Sequence, residues 1–272
     1  MSTQSSNNQY ENFQEFLDEV QYSKRGVKRY EWIFGEGYLS TGGFETTKQI
    51  VPYLELKKGD RVLDVGCGLG GHDFYMAEKY GAVIDAIDLS KNMMSVALQH
   101  FAKKPQIADN IKFSISDVTA TDFKDNYYDV IYSRDALLHI KEKPELFRRF
   151  FRWLKPGGRL VFTDYCRGET NSSEEFERYV KQRDYTLIKV KEYEQLMKSC
   201  GFVAVFAEDI NDKFEESLNR ELKKLYSGRK EFLQLFNQED YDDLEQGWLA
   251  KVKRAKDGHQ TWGLFRAQKP LN

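Results

Sequence analysis

Three carboxylates close three successive β-branched runs. Asp64 lies in RVLDVG (61–66), Asp88 in AVIDAIDL (82–89), and Asp117 directly follows IKFSIS (111–116). The first run opens into LDVGCGLGG (63–71). There Gly66, Gly68 and Gly70 or Gly71 let the main chain turn sharply and approach a ligand that a Cβ would push away. Gly66, Gly68 and Gly71 also satisfy G-x-G-x-x-G, the dinucleotide fingerprint, so the glycines alone leave two ligand types open. The carboxylates narrow the choice. Asp88 is placed to accept from both hydroxyls of a ribose, and Asp117 from an exocyclic amine. A pyrophosphate at the helix start would sit poorly beside the charge of Asp64.

A second group follows the run YDVIYS (128–133). Asp135 and His139 stand four apart, a spacing that predicts one shared helical face. Histidine changes charge near physiological pH, which suits it to polarising a hydroxyl or relaying a proton.

These residues need a frame. Further runs at 159–165 (RLVFTDY), 202–210 and 261–267 bring the strand candidates to seven, with helix patterns at 70–80, 91–104, 143–154 and 190–200. Strands separated by helices predict right-handed βαβ crossovers and a doubly wound, seven-stranded, mostly parallel sheet of the Rossmann-like α/β class. Two stretches break the rhythm. Residues 10–57 are expected to form an N-terminal helical lid, and about 212–256 a helical insertion within the α/β domain of 58–272. The polar stretch 1–9 is expected to be a disordered tail.

Composition removes several classes. Among 272 residues, 41 Lys and Arg stand against 43 Asp and Glu, a net charge of −2 that gives no basic excess for nucleic acid. No apolar run reaches the ~18–20 residues of a membrane helix, and the start lacks a secretory pattern. The three cysteines, Cys67, Cys166 and Cys200, have neither disulfide-framework nor zinc spacing, and no metal is implied. A monomeric cytoplasmic enzyme without stable membrane association is expected.

In this order and spacing, LDVGCGLGG, IDLS, SDV, YDVIYSRDALLHI and LKPGGRLVFTDY resemble the class I S-adenosylmethionine-dependent methyltransferases over about 58–210. The resemblance implies S-adenosylmethionine as cofactor, with Gly66 beside its aminocarboxypropyl part, Asp88 and Leu89 on the ribose and adenine edge, and Asp117 with Val118 on the adenine. Leu39, Ser40, Asp64 and Arg134 join this cofactor set.

A narrower resemblance covers nearly the whole chain, from QYSKRGVKRYEWIFGEGYLSTGG (21–43) through YVKQRDYTL to GWLAKVKR and WGLFRA. It is to the phosphoethanolamine N-methyltransferases, which methylate a phosphoamine stepwise to phosphocholine. This implies a dyad of Tyr22 and His139, Asp135 near the amine, and a phosphate set of Tyr30, Tyr165, Tyr179, Arg183, Tyr185 and Lys251, with Gln21 also on the substrate. The rivals are the same fold methylating a lipid or sterol carbon, a nicotinamide-dependent oxidoreductase, and a binding protein without turnover.

Overall fold

The computed structural model describes residues 12–272, and the expected tail at 1–9 lies outside them. The seven strands are β1 (Arg61–Val65), β2 (Val83–Asp88), β3 (Ile111–Ile115), β4 (Tyr128–Arg134), β5 (Leu154–Arg167), β6 (Val203–Asp209) and β7 (Gln260–Gln268). They form one sheet in the order β3-β2-β1-β4-β5-β7-β6. Only β7 runs antiparallel to its neighbours, so the sheet is mostly parallel and doubly wound, as expected. From β1 the chain winds outward through β2 and β3, then returns to lay β4 on the other side of β1. That reversal opens a crevice at the carboxyl ends of β1 and β4, where sheets of this kind bind ligands.

The helices among the described residues are α1 (Phe13–Phe16), α2 (Lys24–Phe34), α3 (Gly43–Ile50), α4 (Gly71–Tyr80), α5 (Lys91–Phe101), α6 (Lys143–Trp153), α7 (Glu174–Gln182), α8 (Val190–Ser199), α9 (Asn211–Ser227), α10 (Arg229–Leu235) and α11 (Gln238–Lys256). A π-helical turn, Leu17–Gln21, continues α1. Ser23, Ser90 and Ser173 start α2, α5 and α7 by accepting from main-chain amides three residues on. The helix expected at 91–104 stops at Phe101, because Pro105 opens a separate 3-10 turn. Strand β5 begins at Leu154, earlier than the expected 159, with a register shift against β4 between Tyr128 and Val130.

Alternation along the strands divides the core. Val62, Val130, Val161 and Leu264 belong to one cluster with Ile50 of α3, Met76 of α4, Phe214 and Leu218 of α9 and Trp248 of α11. Their neighbours Leu63, Ile131, Phe162 and Phe265 face α6 and α8, packing with Phe147, Phe150, Trp153 and Tyr193. Each such side chain contributes about 1.5–3 kcal/mol by leaving water. The two layers hold the strand ends, and the carboxylates on them, rigidly in place.

Candidate active site

A cavity of about 930 Å³ fills the crevice, lined by the glycine turn, the ends of β2 and β4, the loop after β3, and the N-terminal segment above them. Gly66 has φ +82°, and a Cβ there would lie 2.3 Å from Ala136 Cβ, so only glycine lets the turn close on the loop after β4. At the start of α4 the Gly71 amide donates to Gly37 O at 2.9 Å. Tyr38 Oη donates to Gly71 O at 3.0 Å. That amide is therefore occupied by the cover, and Asp73 is buried in the first turn. This helix end is no seat for a pyrophosphate.

Asp88 accepts from Gly68 N at 2.9 Å on Oδ2 and from Ser90 N at 2.8 Å on Oδ1, and burial pushes its carboxyl up. Each oxygen keeps a further lone pair. Asp117 accepts from the amide and hydroxyl of Thr119 at 2.8 and 2.6 Å. Arg134 donates from Nε to Thr163 Oγ1 (3.1 Å) and from Nη2 to Thr41 O (2.9 Å), while its Nη1 is buried without a partner. An orphaned guanidinium nitrogen on a cavity wall calls for an anionic oxygen.

The N-terminal segment is tied down by Asp18. Its carboxylate accepts from the amides of Lys91 (3.1 Å) and Asn92 (3.2 Å) at the start of α5, an acidic cap supplied from elsewhere in the chain. Asn92 Nδ2 returns bonds to Asp18 O (2.9 Å) and Tyr22 O (3.0 Å). Tyr22 is thereby held over the cavity, its Oη 3.3 Å from His139 Nε2. Burial pushes the His139 imidazole down to about 3, with help from the charges of Lys143 and Arg183, so the ring is neutral near pH 7. Burial pushes the Tyr22 hydroxyl up, so it keeps its proton.

Asp135 and His139 do not share a helical face, which corrects the reading of their spacing. Asp135 has φ +53°, a left-handed conformation that stores about 1–3 kcal/mol in a non-glycine residue, and His139 ends a 3-10 turn, Leu137–His139. The kink breaks any helix before it starts. The two side chains reach the same cavity from a kink and a turn. Asp135 Oδ1 accepts from Thr163 Oγ1 (2.8 Å) and Trp262 Nε1 (2.7 Å), and Oδ2 is buried without a partner.

Next to this pair lies a cluster of tyrosines and cations. The ring of Tyr185 stands 5.2 Å from His139 and 5.8 Å from Tyr179, whose face Arg183 approaches at 6.0 Å. Tyr30 lies against the Arg183 guanidinium, and Gln21 Nε2 donates to Arg183 O at 2.8 Å. Lys251 Nζ donates to Tyr165 Oη at 3.4 Å. Burial pushes the Lys251 ammonium down to about 8, while Glu221 pulls it back up. Donors of this kind, converging with little carboxylate among them, suit a phosphate.

A family model described as a methyltransferase domain matches residues 56–238. The phosphoethanolamine N-methyltransferase of Plasmodium falciparum is 43% identical over 257 residues, covering 93% of this chain and 95% of that protein. The chain belongs to the phosphoethanolamine N-methyltransferase family. Phosphoethanolamine N-methyltransferase 1 of Triticum aestivum is 52% identical over 94% of this chain, and the chain spans about half (51%) of its length. The solved structure of phosphoethanolamine N-methyltransferase 2 from Haemonchus contortus, in complex with phosphomonomethylethanolamine and S-adenosylhomocysteine, superposes with a TM-score of 0.93 at 36% identity, covering 95% of this chain and 60% of that one.

In this member of the phosphoethanolamine N-methyltransferase family, Leu39, Ser40, Gly66, Asp88, Leu89, Asp117, Val118, Arg134, Asp135, His139 and Tyr22 all line the one cavity. Asp64 sits a layer deeper, 1% exposed and near Asp73, where burial pushes its carboxyl up to about 7. Gln21, Tyr30, Tyr165, Tyr179, Arg183, Tyr185 and Lys251 fall in the tyrosine–cation group, which reaches His139 through the ring of Tyr185. Sequence reasoning missed the residues that orient the others: Asp18, Thr163, Trp262 and His72. His72 bridges Ser40 Oγ (3.0 Å) and Thr47 Oγ1 (2.7 Å), linking α4 to the cover, and burial keeps it neutral. Its position directly after the glycine turn was the available signal. For Trp262 the signal was an indole in a buried strand, whose N–H requires an acceptor.

Proposed function

We propose that this chain transfers a methyl group from S-adenosylmethionine to the nitrogen of phosphoethanolamine, and of its mono- and dimethyl forms, leading to phosphocholine. The same proposal carries a cytoplasmic monomer; among the described residues no helix is long and apolar enough to cross a membrane. One observation carries the reading. Asp135, whose Oδ2 is buried without a partner, lines the same cavity as Tyr22 and His139, between a nucleoside-type wall and a tyrosine–cation cluster.

The residues present fit the cofactor. Asp88 keeps lone pairs for two ribose hydroxyls, Asp117 faces the adenine end, the orphaned Nη1 of Arg134 meets the carboxylate, and Gly66 leaves room for the methionyl chain. Ser40 and Leu39 close over it from the N-terminal segment. When bound, S-adenosylmethionine supplies an electrophilic methyl group on a sulfonium.

The chain's own residues must then deliver a neutral amine in line with that methyl. Arg183, Lys251 and the hydroxyls of Tyr30, Tyr165, Tyr179 and Tyr185 anchor the phosphate, fixing one end of the substrate. Asp135 Oδ2 accepts a hydrogen bond from the ammonium at the other end. In the tautomer with a free Nε2 lone pair, the neutral His139 accepts a hydrogen bond from Tyr22 Oη, which turns the tyrosine oxygen lone pairs toward the amine and holds its nitrogen in line with the methyl group. Of the expected lid at 10–57, the described part from residue 12 on brings Tyr22 to this point, latched by Asp18 on α5.

The rivals have less support. A carbon methyltransferase of lipids or sterols would line its substrate region with apolar groups where this chain presents Arg, Lys and four Tyr. A nicotinamide enzyme would need the helix end that Gly37 already occupies. The test is adenosylhomocysteine production with phosphoethanolamine and its two methylated forms, each with S-adenosylmethionine. Turnover with at least one is expected, and none with any would overturn the proposal.

A further inference from the structure

The turn that carries His139 is held from beneath by side chains that touch no ligand wall of the tyrosine–cation cluster. Lys143, 2% exposed in the first turn of α6, donates from Nζ to Leu137 O at 2.7 Å and to Ile140 O at 2.8 Å. Asp164, fully buried on β5, accepts from Leu138 N at 3.1 Å through Oδ1. Its Oδ2 accepts from Tyr193 Oη of α8 at 2.6 Å. The carbonyl of Leu138 accepts from Thr186 N at 2.7 Å on the opposite side. Three of the four residues Leu137–Ile140 thus have main-chain groups taken by groups outside the turn.

A buried lysine and a buried aspartate are expensive to place in a core unless they are paired and bonded. Apolar residues would fill the same space at lower cost. Here each is the other's counter-charge, and both aim at the one turn of three residues that bears the imidazole. Packing alone does not explain two charges there. Holding a main chain with no helix of its own does.

Resting on the function proposed above, we propose that Lys143, Asp164 and Tyr193 are positioning residues, a buried cradle that fixes the main chain of Leu137–Ile140 and so aims His139 at Tyr22. Lys143 also acts at a distance. The titratable and charged groups facing His139 are Tyr22, Tyr185, Arg183 and Lys143, and the two cations both oppose its protonation. The cradle therefore keeps the ring aimed and keeps it a neutral acceptor.

The test is a mutant cycle on the full chain. Lys143→Met removes both donated bonds while keeping an unbranched buried side chain, and Tyr193→Phe removes only one hydroxyl from an intact aromatic layer. Each is made alone and with His139→Ala, reading kcat and KM for phosphoethanolamine and S-adenosylmethionine affinity by calorimetry. Alone, Lys143→Met is expected to lower kcat about 10–100-fold and Tyr193→Phe about 3–10-fold, with cofactor affinity within about threefold of the parent. In the His139→Ala background both should have almost no further effect, because a cradle has nothing left to aim. Equal losses in both backgrounds, or full activity of the single variants, would overturn the cradle. Should Lys143→Met not fold, Tyr193→Phe decides by the same criteria. Full activity of His139→Ala itself would instead overturn the proposed dyad, which separates the two failures.

Discussion

The two sides of the site are held in different ways. The side formed by the ends of β1, β2 and β4 and the glycine turn is main chain and side chains that the fold itself fixes: Asp88 by two amides, Arg134 by Thr41 and Thr163. The side formed by α2, α7, α11 and β5 is long side chains that touch mainly one another, such as Lys251 with Tyr165 at 3.4 Å. There Arg183 and Arg254 add their charges to the burial that already opposes protonation of Lys251. One side is held in place without its ligand, with Arg134 Nη1 still unpaired. The other is a set of cationic and hydroxyl donors that an anion would unite. On the function proposed above, the difference teaches that nucleoside recognition would be built into the sheet, whereas phosphate recognition would be organised by the phosphate.

The sharpest way to break this contrast is to take the phosphate away. Free ethanolamine leaves the donors of the second side buried and unpaired, so its kcat/KM is expected to fall ~10⁴-fold or more below that of phosphoethanolamine. Initial rates with both amines decide it, and a difference under tenfold would remove the clamp. On the first side, Asp88→Ala loses charge-assisted bonds to a ribose worth on the order of 2–4 kcal/mol, about 30–1000-fold in S-adenosylmethionine affinity. Calorimetry giving an affinity within about threefold of the parent would release Asp88 from that role.

Smaller effects sharpen the comparison. Arg183→Lys keeps the charge but loses the planar fork, so KM for phosphoethanolamine should rise about tenfold while kcat stays within about threefold. A kcat loss without a KM rise would place Arg183 in the chemical step. The pH dependence tests Lys251. With its ammonium pushed down to about 8, the cation is present below that pH and lost as pH rises through it. KM for phosphoethanolamine should therefore climb a few-fold above about pH 8. Lys251→Met should raise KM at neutral pH and flatten that climb. A climb that persists unchanged in the variant would assign it to another group.

The same division governs how much was legible in the sequence. The glycine turn and the carboxylates beside it are contiguous, and their strands show the alternation that divides Val62 from Leu63 between the two core faces, so the sheet and the nucleoside side could be read directly. The kink at Asp135 could not. A positive φ at an aspartate leaves no glycine to mark it, and the spacing to His139 read as a helix. The bonds that orient the site are also remote in sequence. Trp262 reaches Asp135 across 127 residues, and Lys251 reaches Tyr165 across 86. Such pairs arise from sheet register and helix packing, which no local pattern encodes. The tyrosine–cation group and the pairing of Tyr22 with His139 were therefore legible only through the family resemblance.

The two sides meet at Tyr22 and His139, and single-turnover methyl transfer tests that meeting most directly. With enzyme and S-adenosylmethionine preloaded and phosphoethanolamine added at saturation, Tyr22→Phe and His139→Ala should each slow transfer ~10²–10⁴-fold while ligand affinities stay within about threefold. The double variant should be little slower than the worse single, since the pair acts as one unit. Transfer at the parent rate in either single variant, or losses that multiply in the double, would contradict a dyad acting as one unit at the junction.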